Sequence, residues 1–158
     1  MEDHEITAFL FKHLQSVHDN NMEVYAETTA DDLTLYEWWV TPHRIHGLNF
    51  HKFMMEANAR AGTVFGAEGG PGGQPRFDLT NLHIQHYGDT AIASYTLLVS
   101  SVGPGGVSVA AHNESRVMVK GPSGWKVVHV HKSPAWQAPH LRPAEKAAEA
   151  PQEPPEQD

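Results

Sequence analysis

Histidine is the side chain that stands out first, because twelve imidazoles in 158 residues put many groups with pKa values of about 6.5 into a small protein. Two of them, His129 and His131, sit two apart in a segment with strand character, and side chains at that spacing leave the same face of a strand. Two imidazoles so placed can converge on one metal ion if His83, His86 or His112 supplies a third ligand. By the same alternation Val128, Val130 and Lys132 share the opposite face, and one strand earlier Arg116 shares a face with Glu114 and His112. Should that face meet the core, a buried guanidinium demands an anion. The anion is either an internal carboxylate, Glu37 or Glu114, or a ligand, because long charged side chains are seldom buried unpaired. Cysteine is absent, which excludes disulfides, thiol catalysis and thiolate metal sites.

The elements that must position these residues follow from periodicity. Between Glu5 and Val17, residues Ile6, Phe9, Leu10, Leu14 and Val17 recur at helical spacing and predict an amphipathic helix that packs on a sheet. Asp19-Asn20-Asn21 ends it, and a short second helix runs from about Met22 to Thr29. Leu33 to Glu37 reads as a short strand. Trp38-Trp39-Val40-Thr41-Pro42 then connects it to a strand at Arg44-Ile45-His46. After Gly47, Asn49 is the expected N-cap of a third helix to Ala61, in which Phe50, Phe53, Met54 and Ala57 share a face.

Gly62 to Pro75, with six Gly and two Pro, reads as a long mobile loop, a surface insertion in the first instance and a lid in the alternative. The period then changes to two. Strands are predicted at about Arg76 to Tyr87, Thr90 to Val102, Val107 to Lys120 and Trp125 to Lys132. They are joined by Gly88-Asp89, Gly103-Pro104-Gly105-Gly106 and Gly121-Pro122-Ser123-Gly124, all of which is hairpin chemistry. Helices first and an antiparallel meander last give an α+β domain with helices on one face of a curved sheet. One domain over residues 1–133 is expected, followed by a disordered Pro/Ala/Glu-rich tail over residues 134–158.

The net charge of -8 argues against nucleic acid and anionic membranes as partners, since both are bound by clustered Lys and Arg. The N-terminus is acidic where a signal peptide would be basic, and no apolar run reaches the ~20 residues that cross a bilayer. A cytoplasmic location is therefore expected.

Four segments, in order, carry a family resemblance: LTLYE at Leu33 to Glu37, HGLNFHKF at His46 to Phe53, HIQHYGDTAIASY at His83 to Tyr95, and NESRVMVKGPSGWKVVHVHKS at Asn113 to Ser133. Together they resemble the association (hub) domain of calcium/calmodulin-dependent protein kinase II over roughly residues 5 to 133. The resemblance implies the cone-shaped fold of nuclear transport factor 2, scytalone dehydratases, ketosteroid isomerases and SnoaL-like cyclases, in which a curved sheet wraps helices around one pocket. It also implies that the pocket takes a small carboxylate or an acidic peptide side chain through Tyr25, His51, Arg116 and Lys132. Thr96 stands where the family has another arginine, and Lys132 where it usually has one, so bidentate recognition falls to Arg116.

No kinase segment precedes the first helix in this sequence, so kinase activity is not expected. The family carries its His-x-His pair without a metal, and neither metal nor cofactor is expected here; His129 and His131 become interface or hydrogen-bonded histidines. Tyr36, Trp38 and Trp39 are read as interface aromatics. The expected function is a self-associating binding module, dimeric through the open sheet face or larger, and not itself an enzyme. The alternative is a SnoaL-like or ketosteroid isomerase-like lyase or isomerase doing acid/base chemistry with Tyr25, Glu37, His51 and His131.

Overall fold

The first helix, α1 (Glu2–His18), buries the stripe Ile6, Leu10, His13, Leu14 and Val17 against the sheet. It ends where Asn20 adopts a positive φ of 54°, a conformation that asparagine tolerates better than most residues. The Asn21 side chain then accepts the Val24 N–H at 3.2 Å and caps α2 (Met22–Thr28). The computed structural model describes residues 2–60 and 76–136; the Gly-rich segment 61–75 and residues from 137 onward lie outside the described residues.

Six strands follow in chain order, β1 (Thr29–Glu37), β2 (Ile45–His46), β3 (Arg76–Tyr87), β4 (Thr90–Gly103), β5 (Gly106–Gly121) and β6 (Gly124–Pro134), with α3 (Leu48–Arg60) between β2 and β3. They form one curved, unclosed sheet ordered β2-β1-β6-β5-β4-β3. The predicted meander accounts for β3 to β6. Gly88, Gly106 and Gly124 take the positive φ values that its tight turns require. β1 pairs with β6 in parallel, an arrangement joining the first strand to the last. Register shifts at Thr80/His83 and Val117/Met118 insert extra residues that bend the strands, and the core fills the concave side.

Several local expectations change. β1 begins at Thr29 rather than Leu33, and the shift at Val117/Met118 buries Val127 in place of the expected Val128. α3 starts at Leu48, with the Gly47 carbonyl accepting the His51 N–H at 3.3 Å, so Asn49 lies inside the first turn and is not the cap. Gly47 makes this entry possible through its φ of +96°. The packed face of α3 is Leu48, His51 and Met55, whereas Phe50 and Phe53 are exposed and stacked on each other at 6.4 Å. Of the four apolar residues singled out in the sequence, Phe50, Phe53 and Ala57 are exposed and Met54 packs partly against the core, because the larger aromatic pair competes with the spacing of the true core positions. At the other end β6 reaches Pro134, the Ala135 N–H donates to the Ala111 carbonyl at 3.0 Å, and the Trp136 ring lies 6.1 Å from that of Trp38.

Candidate ligand site

Strand register builds a row of charge across the inner face. Glu37 of β1 is opposite Lys132 of β6, Lys132 opposite Glu114 of β5, and Glu114 opposite Tyr95 of β4. In the adjacent inward row Arg116 faces Val130 on one side and Ala93 on the other. The small Ala91 and Ala93 side chains leave space for the guanidinium to fold back toward Tyr95.

Glu37 anchors one half of this network. Lys132 Nζ donates to Glu37 Oε1 at 2.5 Å, and His51 Nε2 lies 3.3 Å from Glu37 Oε2. With Nε2–H donating to the carboxylate, Nδ1 is left to accept from the Tyr25 hydroxyl, which touches it. The Tyr25 ring packs 5.3 Å from both His51 and His13, and His13 Nδ1 meets Thr28 Oγ1 at 2.8 Å. Lys132 also sits 5.1 Å from the centroid of the Trp39 ring, a cation–π contact.

The other half centres on Arg116. Of the two internal carboxylates expected for it, the structure supplies Glu114, in direct contact with Nη1. The Tyr95 hydroxyl donates to the same carboxylate at 2.7 Å and also touches Arg116 Nη1. Arg116 is only 2% exposed, yet its Nε has no hydrogen-bond partner among the described residues. Alongside runs a cavity of about 30 Å³ walled by Leu14, Trp39, His112, Glu114, Arg116 and Lys132, space for about two waters.

Burial sets the protonation states. It would raise Glu37, but the Lys132 charge and the His51 hydrogen bond outweigh it and hold the carboxyl below its ordinary value. Glu114 is pushed up to about 7 by burial, with the Lys132 charge opposing and the Glu37 charge assisting. Burial also lowers Arg116 to about 10 and raises Tyr25, which stays protonated. His13 is driven well below 6.5, first by burial and then by the charges of Arg116 and Lys132. It is therefore neutral in the fold but protonates when unfolded. Its contribution to stability is present above 6.5 and is lost as pH falls toward the folded value. We expect His13→Leu to lose less stability than the parent between about pH 6.5 and 5, measured by urea melts; equal losses would contradict this.

Tyr25, His51, Arg116 and Lys132 thus share one buried inner network together with Glu37. His131 is not part of it. It lies exposed on the outer face, 5.3 Å from the Tyr36 ring. His129, beside it, pairs through Nδ1 with Thr34 Oγ1 at 2.8 Å. His112 is buried on the inner face, away from that pair. No group of three or more His, Asp or Glu among the described residues is arranged to hold a metal ion. The aromatic trio divides as well, with Tyr36 outward and Trp39 on the cavity wall.

His13 and Tyr95 were missed in the sequence. A histidine three residues after Leu10 on an apolar helical face, and a tyrosine alternating with Ala91 and Ala93, were the available signals. No described helix is long and apolar enough to cross a membrane.

The model of the calcium/calmodulin dependent protein kinase II association domain matches residues 2–136. The S. rosetta CaMKII hub is 26% identical, with a TM-score of 0.67 over 82% of this chain and 94% of that one. The hub homology domain of Chlamydamonas reinhardtii is 25% identical, with a TM-score of 0.71 over 86% of this chain and all of that one (100%). A nuclear transport factor 2-like protein from Salmonella enterica, 21% identical with a TM-score of 0.64 over 85% of this chain and 92% of that one, shares the fold. Compared with curated proteins, the chain matches none. With the inner charge row, the curved sheet and this match over nearly all described residues, the chain belongs to the calcium/calmodulin-dependent protein kinase II association-domain family.

Proposed function

We propose that this domain is a non-catalytic, self-associating module that holds a small carboxylate, free or at the end of an acidic peptide side chain, against Arg116. The observation that carries the reading is the buried Arg116 Nε, without an acceptor among the described residues, on a residue that walls a small cavity. An unmade hydrogen bond on a buried charged group is costly, and a carboxylate oxygen is its natural acceptor. A binding role is favoured over acid/base catalysis by how Tyr25, His51, Glu37 and Lys132 satisfy one another.

Self-association draws support from the outer face of the sheet. Register places His46, Thr34, His129, Val117 and Ile92 in one row and Tyr36, His131, Ser115, Ser94 and His83 in the next. Neither row contains Lys, Arg, Asp or Glu. Two copies that each carry -8 repel least where they approach through such a face.

Light scattering at micromolar concentration is expected to give a mass above the 17.5 kDa monomer, and a clean monomer would remove the self-association half of the proposal. Calorimetric titration with acetate should detect binding to the parent chain. Arg116→Lys keeps the charge but loses the fork of donors, so its affinity should fall about tenfold or more; unchanged affinity would sink the assignment of Arg116.

A further inference from the structure

The inner network carries as many carboxylates as cations, Glu37 with Lys132 and Glu114 with Arg116, and all four side chains are at most 6% exposed. An additional anion would leave one uncompensated negative charge where burial costs several kcal/mol per ion. The deficit disappears if a carboxylate in the network takes up a proton. Glu37 is poorly suited, since both of its oxygens face cationic or N–H donors, Lys132 and His51. Glu114 is well suited, because its Oε2 occupies the same guanidinium that the incoming anion must use.

We propose that a small carboxylate enters this pocket together with one proton taken from solvent by Glu114, so that the net species bound is an undissociated acid. This rests on the carboxylate reading above and specifies its charge balance. Protonated, Glu114 gives up its claim as an anion on Arg116. The guanidinium charge is then released to pair with the ligand, which Nε–H and the Nη2–H on the same edge can grip as a planar fork. Burial already holds the Glu114 carboxyl near neutrality, at about 7, so the proton is available under ordinary conditions. Several groups face Glu114: Tyr95 from β4, Arg116 and His112 from β5, Lys132 from β6, Glu37 beyond it on β1, and His18 of α1 across the cavity. Uptake by Glu114 is therefore separated from uptake by any of its neighbours by removing the Glu114 carboxyl itself.

Calorimetry of acetate binding to the full chain, in two buffers of small and large ionisation enthalpy, separates these cases. We expect uptake of about one proton per acetate at about pH 8, with the apparent Kd rising about tenfold per pH unit above neutrality. In Glu114→Gln both effects should vanish, leaving a Kd that is flat with pH. Binding without proton uptake in the parent chain overturns the inference while the carboxylate reading stands. Uptake that persists in Glu114→Gln assigns the proton to a neighbouring group and also overturns it. No acetate binding at any pH overturns both. If the glutamine variant does not fold, infrared difference spectra of the parent chain with ¹³C-acetate decide. A new protonated-carboxyl band from the protein supports the proposal, and its absence refutes it.

Discussion

Arg116→Ala is expected to lower stability by about 3–5 kcal/mol above neutral pH, and by clearly less at about pH 6. The substitution removes the one cation in direct contact with Glu114 among the described residues, the Lys132 ammonium being engaged by Glu37, and a buried carboxylate that loses its partner is what makes breaking such a pair costly. Without the guanidinium the Glu114 carboxyl moves further up from its value of about 7. A folded pKa raised above the unfolded one adds stability below the unfolded value and loses it as pH rises through the folded value. Lowering the pH therefore neutralises the stranded acid and recovers part of the loss. Removing both charges together, as Arg116→Met with Glu114→Gln, should cost less than Arg116→Ala alone. Urea melts across pH test both statements, and a loss below about 1 kcal/mol, or one independent of pH, would show that the pair is not the buried contact described here.

Glu37→Ala should be the other large effect, again about 3–5 kcal/mol, because one carboxylate takes contacts from both Lys132 and His51. Glu37→Gln keeps an acceptor for the Lys132 ammonium and should cost less. The pH signature runs opposite to that of Glu114. The folded pKa of Glu37 lies below its ordinary 4.5, so its contribution is present above 4.5 and disappears as pH falls through the folded value. The parent chain should therefore lose stability more steeply on the acid limb than Glu37→Ala. Thermal melts between about pH 5 and 3 read this slope; parallel curves would mean that Glu37 is not ionised against Lys132.

Much of this molecule was legible in local pattern. The stripe through Ile6, Leu10, Leu14 and Val17 is the buried face of α1, and the glycine-marked turns bound β3 to β6 within a residue or two of the expected limits. What local pattern could not give was register between distant segments. Alternation shows that Glu37, Lys132 and Glu114 each point to one side of a strand. Only the parallel pairing of β1 with β6 shows that it is the same side and the same row. The inward turn of His13 escaped for a related reason, since its neutral form is satisfied by Thr28 in the next helix. α3 was misjudged because Phe50 and Phe53 dominate its apolar content while the smaller contacts of Leu48 and Met55 decide its packing.

The parallel seam between β1 and β6 also dictates when the pocket can come into being. Glu37 and Lys132 are 95 positions apart. At translation rates of about 5–20 residues per second, the carboxylate waits roughly 5–20 s for its ammonium partner to be synthesised. Throughout that interval the nascent chain holds its future binding residues in water, and the hollow closes as a late event of biogenesis once the final strand docks.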